Sequence, residues 1–337
     1  MKIAIIGAGA WGTALAVSLS EHHRVTLWGR DAKQIEVMRE AGCNQRYLPG
    51  INFPEGLELS SELSLALAGT TLVIMAVPTA ALRVTLQQVV AVLPSSRTQT
   101  ADVGVIWACK GFEAETSMLP HQVIAEVLPA NMPSGVLSGP SFAQEVGRHL
   151  PTALTLASAD EIFARDTAQA LHHSRLRIYA SNDVVGVEVG GAVKNVMAIA
   201  AGISDGMGLG LNARAALLTR GLAEITRLGL QLGGRAETLG GLSGAGDLIL
   251  TCTGDLSRNR QVGLLLAQHC DLQEILQRLG HVAEGVYSVR EVHRLAQRLG
   301  VAMPICHAVY RILYEHVSAA EMVSELLNRA PGVEFSA

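Results

Sequence analysis

KIAIIGAGAWGTALAVSLS, residues 2–20, decides the fold. A short apolar run, Lys2 to Ile6, reaches Gly7-Ala8-Gly9-Ala10-Trp11-Gly12, then a helical pattern over 13–20, and a second apolar run follows at 24–28. That order reads as strand, glycine turn, helix, strand. In such a unit Gly7 permits the tight turn, Gly9 lets a pyrophosphate reach the backbone, and Gly12 lets the helix pack against the strand. The phosphates then sit at the helix N-terminus with Ala10 and Trp11, where unpaired N–H groups and the positive end of the dipole point at them. A secretory signal is the competing reading of this stretch, but three glycines interrupt it and Lys2 supplies little charge.

The second strand ends in Leu27-Trp28-Gly29-Arg30-Asp31, where an acidic residue commonly holds the adenosine ribose. Arg30 can instead pair with a 2′-phosphate, which favours NADPH while leaving NAD open. Asp31 can still serve a ribose, and Arg30 can also be read as a solvated loop charge.

Working outward, further strands are expected at 71–77, 103–108, 136–138, 152–157 and 176–180, with helices near 79–93, 118–128 and 159–172. Alternation of this kind implies an α/β fold with a doubly wound, mostly parallel sheet of the Rossmann type, whose ligands bind at the carboxyl ends of the strands. Beyond residue 182 only helical patterns appear, at 184–202, 212–229, 258–269, 271–279, 285–299 and 305–314. The expected division is a dinucleotide-binding domain over 1–182 and an all-helical substrate domain over 183–337.

The first of those helices, VVGVEVGGAVKNVMAIAAG at 184–202, has only Glu188, Lys194 and Asn195 as polar residues. A helix without a polar face is normally buried, so Lys194 must find a partner or lose its charge, which makes it a candidate general base. A lysine snorkelling to water from a core helix is the alternative. Val187, Gly190, Gly191, Ala198 and Ala201 share its side, small enough for another backbone or a ligand to approach.

Composition narrows the function. The 337 residues carry a net charge of −4 and no basic stripe, which argues against a nucleic-acid partner and leaves any anion site to a few local groups. The five cysteines, Cys43, Cys109, Cys252, Cys270 and Cys306, are scattered without metal-ligand spacing, so no metal is expected and a cytoplasmic location fits. Mean hydropathy is high at +0.30, yet no run of about 18 uninterrupted apolar residues appears, so no membrane span is expected.

In the helical region Gly244-Ala245-Gly246-Asp247 reads as a turn ending in a carboxylate. Ser257-Arg258-Asn259-Arg260 reads as a capped helix start whose free N–H groups and two arginines form an anion cradle, or else as an ordinary helix start with solvated arginines. A phosphate cradle facing a dinucleotide site beside a buried lysine suggests a small phosphorylated alcohol or ketone.

Together these stretches resemble the bacterial-type NAD(P)-dependent glycerol-3-phosphate dehydrogenases: GAGAWGTALA at 7–16, LWGRD at 27–31, ACKGFE at 108–113, SGPSFAQEV at 138–146, GGAVKNVMAIAAG at 190–202, GAGDLILTC at 244–252, SRNR at 257–260 and VAEGVYS at 282–288. The resemblance implies interconversion of sn-glycerol 3-phosphate and dihydroxyacetone phosphate by hydride transfer between C2 and NAD(P), in a cytoplasmic homodimer that supplies phospholipid synthesis. It implies that Lys194 is the proton acceptor and that Lys110 touches substrate and cofactor. It further implies that Ser257, Arg258 and Asn259 bind substrate, with Arg258 also near the cofactor, and that Asp247 accepts from the substrate hydroxyls. Gly139, Ser141 and Ala143 are implied to wall the cleft, and Val282 and Glu284 to approach the nicotinamide. A ketopantoate-type reductase would share the fold but need a carboxylate pocket. A redox-sensing NAD(P)H-binding protein would have no use for Lys194.

Overall fold

A computed structural model describes residues 1–93, 103–279 and 284–329. Its sheet has eight strands: β1 (Lys2–Ile6), β2 (Arg24–Trp28), β3 (Glu58–Ser60), β4 (Leu72–Met75), β5 (Gly104–Trp107), β6 (Ser134–Ser138), β7 (Thr152–Ala157) and β8 (Leu176–Ser181). They run in the order β3-β2-β1-β4-β5-β6-β7-β8. The pairs from β3 to β6 are parallel, β7 is antiparallel to β6, and β8 is parallel to β7. Central strands buried on both faces read as unbroken apolar runs, which is why Ile3 to Ile6 and Leu72 to Met75 are visible in sequence. The edge strand β3 is three residues long and polar, and no expectation covered it.

The order reverses between β1 and β4, and this reversal opens the crevice where open parallel sheets take their ligands. Helix α1 (Ala10–Ser20) starts there, and α2 (Ala32–Ala41), α3 (Leu63–Leu67), α4 (Thr79–Val92), α5 (Pro120–Val127), α6 (Ala143–Gly147) and α7 (Glu161–Leu171) connect the strands. Of these α2, α3 and α6 were not expected from periodicity. α3 and α6 span only five residues each, too few to show a period.

From Val184 onward the described chain is helical. The helices are α8 (Val184–Gly206), α9 (Gly210–Gln231), α10 (Ala236–Leu239), a π-helical turn (Leu242–Gly246), α11 (Asp247–Thr253), α12 (Arg258–Ala267), α13 (Leu272–Leu279), α14 (Glu284–Leu299), α15 (Pro304–Tyr314) and α16 (Ala319–Leu327). The stretch expected as a turn at 244–247 is instead the π turn running directly into α11, so Asp247 stands in the first turn of a helix. α10, α11 and α16 also escaped periodicity.

Helix α8 is the axis of this half. Every residue from Gly186 to Ser204 is buried. Asp183 caps its start by accepting from Gly186 N at 2.8 Å, and its other oxygen accepts from Arg235 N at 2.9 Å. It is also the one helix among the described residues long and apolar enough to cross a membrane, but 89% of its most apolar window is covered by the protein itself. The cover is close: a Cβ at Gly202 would lie 2.0 Å from Arg260 O, and one at Gly263 would lie 2.1 Å from Ile199 O. Helices α8 and α12 therefore cross backbone to backbone, glycine against carbonyl in both directions, and this crossing sets where the start of α12 lies. Gly202→Ala forces the helices apart, and the expected loss of about 1–3 kcal/mol in unfolding free energy is measurable by urea denaturation.

Candidate active site

The glycine turn after β1 has the geometry the sequence requires. Gly7 sits at φ +123°, a conformation that favours glycine, and a Cβ there would strike Ala76 O at 2.5 Å. A Cβ on Gly12 would lie 1.9 Å from Gly7 O, so helix α1 packs onto its own turn. A Cβ on Gly9 would meet nothing within 4 Å, and α1 begins after Gly9 without a side-chain cap. An uncapped helix start beside open space is able to take an anion. Ala10 and Trp11 form its first helical residues, the Trp11 ring packing against the apolar core beneath.

At the end of β2, Arg30 is exposed. Asp31 caps α2 with one oxygen, Oδ1 accepting from Lys33 N at 3.0 Å and Gln34 N at 3.3 Å, while the residue itself stays exposed.

The charged centre lies where the sheet meets α8. The buried Asp247 carboxylate bridges two ammonium groups: Lys110 Nζ donates to its Oδ2 at 2.7 Å, and Lys194 Nζ donates to its Oδ1. Lys194 also donates to Thr251 Oγ1 at 2.9 Å, and Lys110 to Gly139 O at 3.0 Å. Lys194 is thus partnered inside the protein and does not snorkel, with 7% of the residue exposed. Burial draws its pKa down to about 8, and the Lys110 charge acts in the same direction against the opposing pull of Asp247. Thr251 had no assigned role in the sequence. The signal was its spacing, since i+4 from Asp247 on a helix puts both side chains on one face.

Around this centre, Gly139 and Ser141 close the end of β6, with Ser141 Oγ donating to Gly139 O at 3.0 Å, and Ala143 opens α6. Ser257 is buried and caps α12, accepting from Arg260 N at 3.3 Å. The cradle expected from two arginines has one. Arg260 is spent on Asp205, at 2.9 Å from Nε, and on Asp255, at 3.0 Å from Nη1, while Arg258 is exposed and makes no hydrogen bond to the described residues. Asn259 is also committed: its Nδ2 donates to Asn195 Oδ1 at 3.0 Å and its Oδ1 accepts from Gly285 N at 3.1 Å, which ties α12 to α8 and α14 beside Lys194. Glu284 begins α14, within electrostatic reach of Arg258, Lys110 and Lys194. Val282 lies outside the described residues.

Two family patterns cover the chain: NAD-dependent glycerol-3-phosphate dehydrogenase N-terminus over residues 2–164, and the C-terminus of the same enzyme over residues 183–324. The chain belongs to the NAD-dependent glycerol-3-phosphate dehydrogenase family. It is 58% identical over 334 residues to the glycerol-3-phosphate dehydrogenase [NAD(P)+] of Nitrosomonas europaea, covering 99% of each chain. A crystal structure of glycerol-3-phosphate dehydrogenase from Coxiella burnetii superposes with a TM-score of 0.91 at 43% identity, over 97% of this chain and 99% of that one. A ketopantoate reductase from Ralstonia eutropha superposes with a TM-score of 0.60 at 16% identity over 96% of this chain and 100% of that one, a likeness of fold alone.

Because Asp247 raises the Lys194 pKa, Asp247→Asn removes that support and leaves two neighbouring cations. The midpoint of Lys194 titration, read by pH-dependent acetylation and mass spectrometry, is expected to fall below its wild-type position near 8.

Proposed function

We propose that this protein interconverts sn-glycerol 3-phosphate and dihydroxyacetone phosphate, with NAD(P) as redox partner and Lys194 carrying the proton of the C2 oxygen. The observation that carries the reading is the buried Lys194 with its pKa drawn to about 8, held beside a second ammonium at the seam of sheet and helices. Near neutral pH the group is mostly ammonium and able to give its proton to a carbonyl oxygen; above its pKa it is free to take one from a hydroxyl. When bound, the nicotinamide supplies or accepts the hydride at C2. Lys110 polarises the C2 oxygen, and Asp247 accepts from the substrate hydroxyls once they enter.

The substrate phosphate is assigned to the start of α12, where Arg258 has an uncommitted guanidinium and Ser257 and Asn259 fix the backbone. Gly139, Ser141 and Ala143 form the opposite wall. The region 1–182 holds the cofactor through Gly7, Gly9, Ala10, Trp11 and Gly12 at the diphosphate and through Lys110 and Ala143 towards the nicotinamide; Arg258 and Glu284 meet it from the region 183–337, which also grips the substrate, and Val282 is assigned to the cofactor on the sequence resemblance alone. Arg30 is exposed at the end of β2, where a guanidinium can pair with a 2′-phosphate, and this supports NADPH as the preferred cofactor. Five free cysteines are compatible with a cytoplasmic enzyme feeding phospholipid synthesis, and a homodimer is part of the same proposal.

The deciding experiment assays dihydroxyacetone phosphate with NADPH and NADH in parallel. Turnover with a higher kcat/KM for NADPH is expected, and absence of turnover with both cofactors overturns the reading. Reduction should slow as pH rises through about 8 and oxidation of glycerol 3-phosphate should accelerate over the same range, since the first needs the ammonium and the second the amine. Lys194→Ala should lower kcat by about 10²- to 10⁴-fold with cofactor binding retained, measured by fluorescence titration.

A second substitution tests the phosphate assignment. Arg258→Ala is expected to raise KM for dihydroxyacetone phosphate by the worth of a hydrogen-bonded charge, about 2–3 kcal/mol. An unchanged KM would place the phosphate elsewhere.

A further inference from the structure

Glu188 is the third polar residue of helix α8, and none of the chemistry above uses it. It is buried, and its carboxylate is fully engaged with the sheet side of the molecule: Oε1 accepts from Trp107 Nε1 at 2.7 Å and from His121 N at 2.8 Å, and Oε2 meets His121 Nδ1 at 2.5 Å. Burying a carboxylate is costly unless its oxygens are satisfied, and three partners satisfy this one.

The positions of those partners form a ladder. Trp107 ends β5 three residues before Lys110, and Glu188 lies three residues before Gly191 on α8. Gly191 is the point where α8 meets Lys110, since a Cβ there would touch Lys110 Cγ and Cδ at 3.5 Å and Ser138 Oγ at 2.9 Å. Three residues further along the same helix comes Lys194. The Glu188–Trp107 rung therefore lies about 9 Å of helix rise below Lys194 and fixes the depth at which α8 meets the segment leading to Lys110.

The geometry points to Glu188 as a positioning residue that sets the register between the two lysines, acting through Trp107 and His121 and touching neither substrate nor cofactor. This rests on the reading of Lys194 as the proton carrier. Loss of the rung lets α8 shift along the strand end, separates Lys194 from Lys110 and admits water. Displacements of about 1 Å at a reacting group lower kcat by as much as about 100-fold.

The test uses the full-length enzyme and a readout independent of turnover, the pH dependence of Lys194 acetylation followed by mass spectrometry. The charged or titratable groups acting on Lys194 are Asp247, Lys110, Cys252 and Glu284, and none is altered. In Glu188→Ala the labelling midpoint is expected to move up from about 8 towards an ordinary lysine value, with kcat down by about 10- to 100-fold and KM for the cofactor within about twofold. Glu188→Gln keeps an acceptor for Trp107 and the His121 backbone and offers a donor to the imidazole, so its midpoint and kcat should stay near wild type. A folded Glu188→Ala protein with wild-type midpoint and kcat overturns the inference, as does a Gln variant impaired like the Ala one. Should Glu188→Ala fail to fold, Trp107→Phe removes the indole donor and is expected to raise the midpoint to a smaller extent; an unmoved midpoint there is equally fatal. A wild-type enzyme that titrates near 8 but does not reduce dihydroxyacetone phosphate would sink the catalytic reading, leaving the labelling to judge Glu188 by itself.

Discussion

One buried carboxylate shared by two ammonium groups holds the centre of this protein together. Asp247 accepts from Lys110, which comes from the end of β5, and from Lys194, in the middle of α8. Two cations this close repel, and each alone would be expensive to bury; the anion between them makes the pair tolerable without neutralising it. Burial is the main cause that draws Lys194 down to about 8, and the nearby Lys110 charge acts in the same direction.

That arrangement depends on unusually close backbone packing. Gly190 on α8 would place a Cβ 2.5 Å from Ser243 O, at the π turn that leads into Asp247, and the reciprocal contacts of Gly202 and Gly263 lock α8 against α12. The result is that Asp247 and Thr251 from α11 and the α12 start bearing Ser257 and Arg258 pack against the one stretch of α8 that carries Lys194. Asn259 and Asn195 complete the tie by hydrogen bonding across the helix crossing. The sheet contributes Lys110, Gly139 and Ser141 from beyond the carboxyl ends of β5 and β6, and Lys110 reaches Asp247 directly at 2.7 Å.

Fold and chemistry are separable here. A ketopantoate reductase shares the architecture at 16% identity, so the sheet and helical layers do not by themselves choose a substrate. The choice falls to local groups, and we assign it to the exposed Arg258 at a capped helix start and to the exposed Arg30 at the end of β2.

The sequence determined the layers and most of the chemistry. Unbroken apolar strands, the spacing of Gly7, Gly9 and Gly12, and a lysine isolated in an apolar helix are local signals, each carried by residues near one another in the chain. What they could not carry is commitment. Arg260 reads like Arg258 until Asp205 and Asp255 are found beside it, Asp31 reads as a free carboxylate until it caps α2, and Gly244 to Asp247 reads as a turn until it is seen winding into α11. Glu188 had no visible role because its partners, Trp107 and His121, lie 81 and 67 residues away. Whether a charged side chain is spent or available depends on the backbone conformation beside it, as for Asp31, and on groups many residues away, as for Arg260, whose partner Asp205 lies 55 residues off; only the folded chain supplies both.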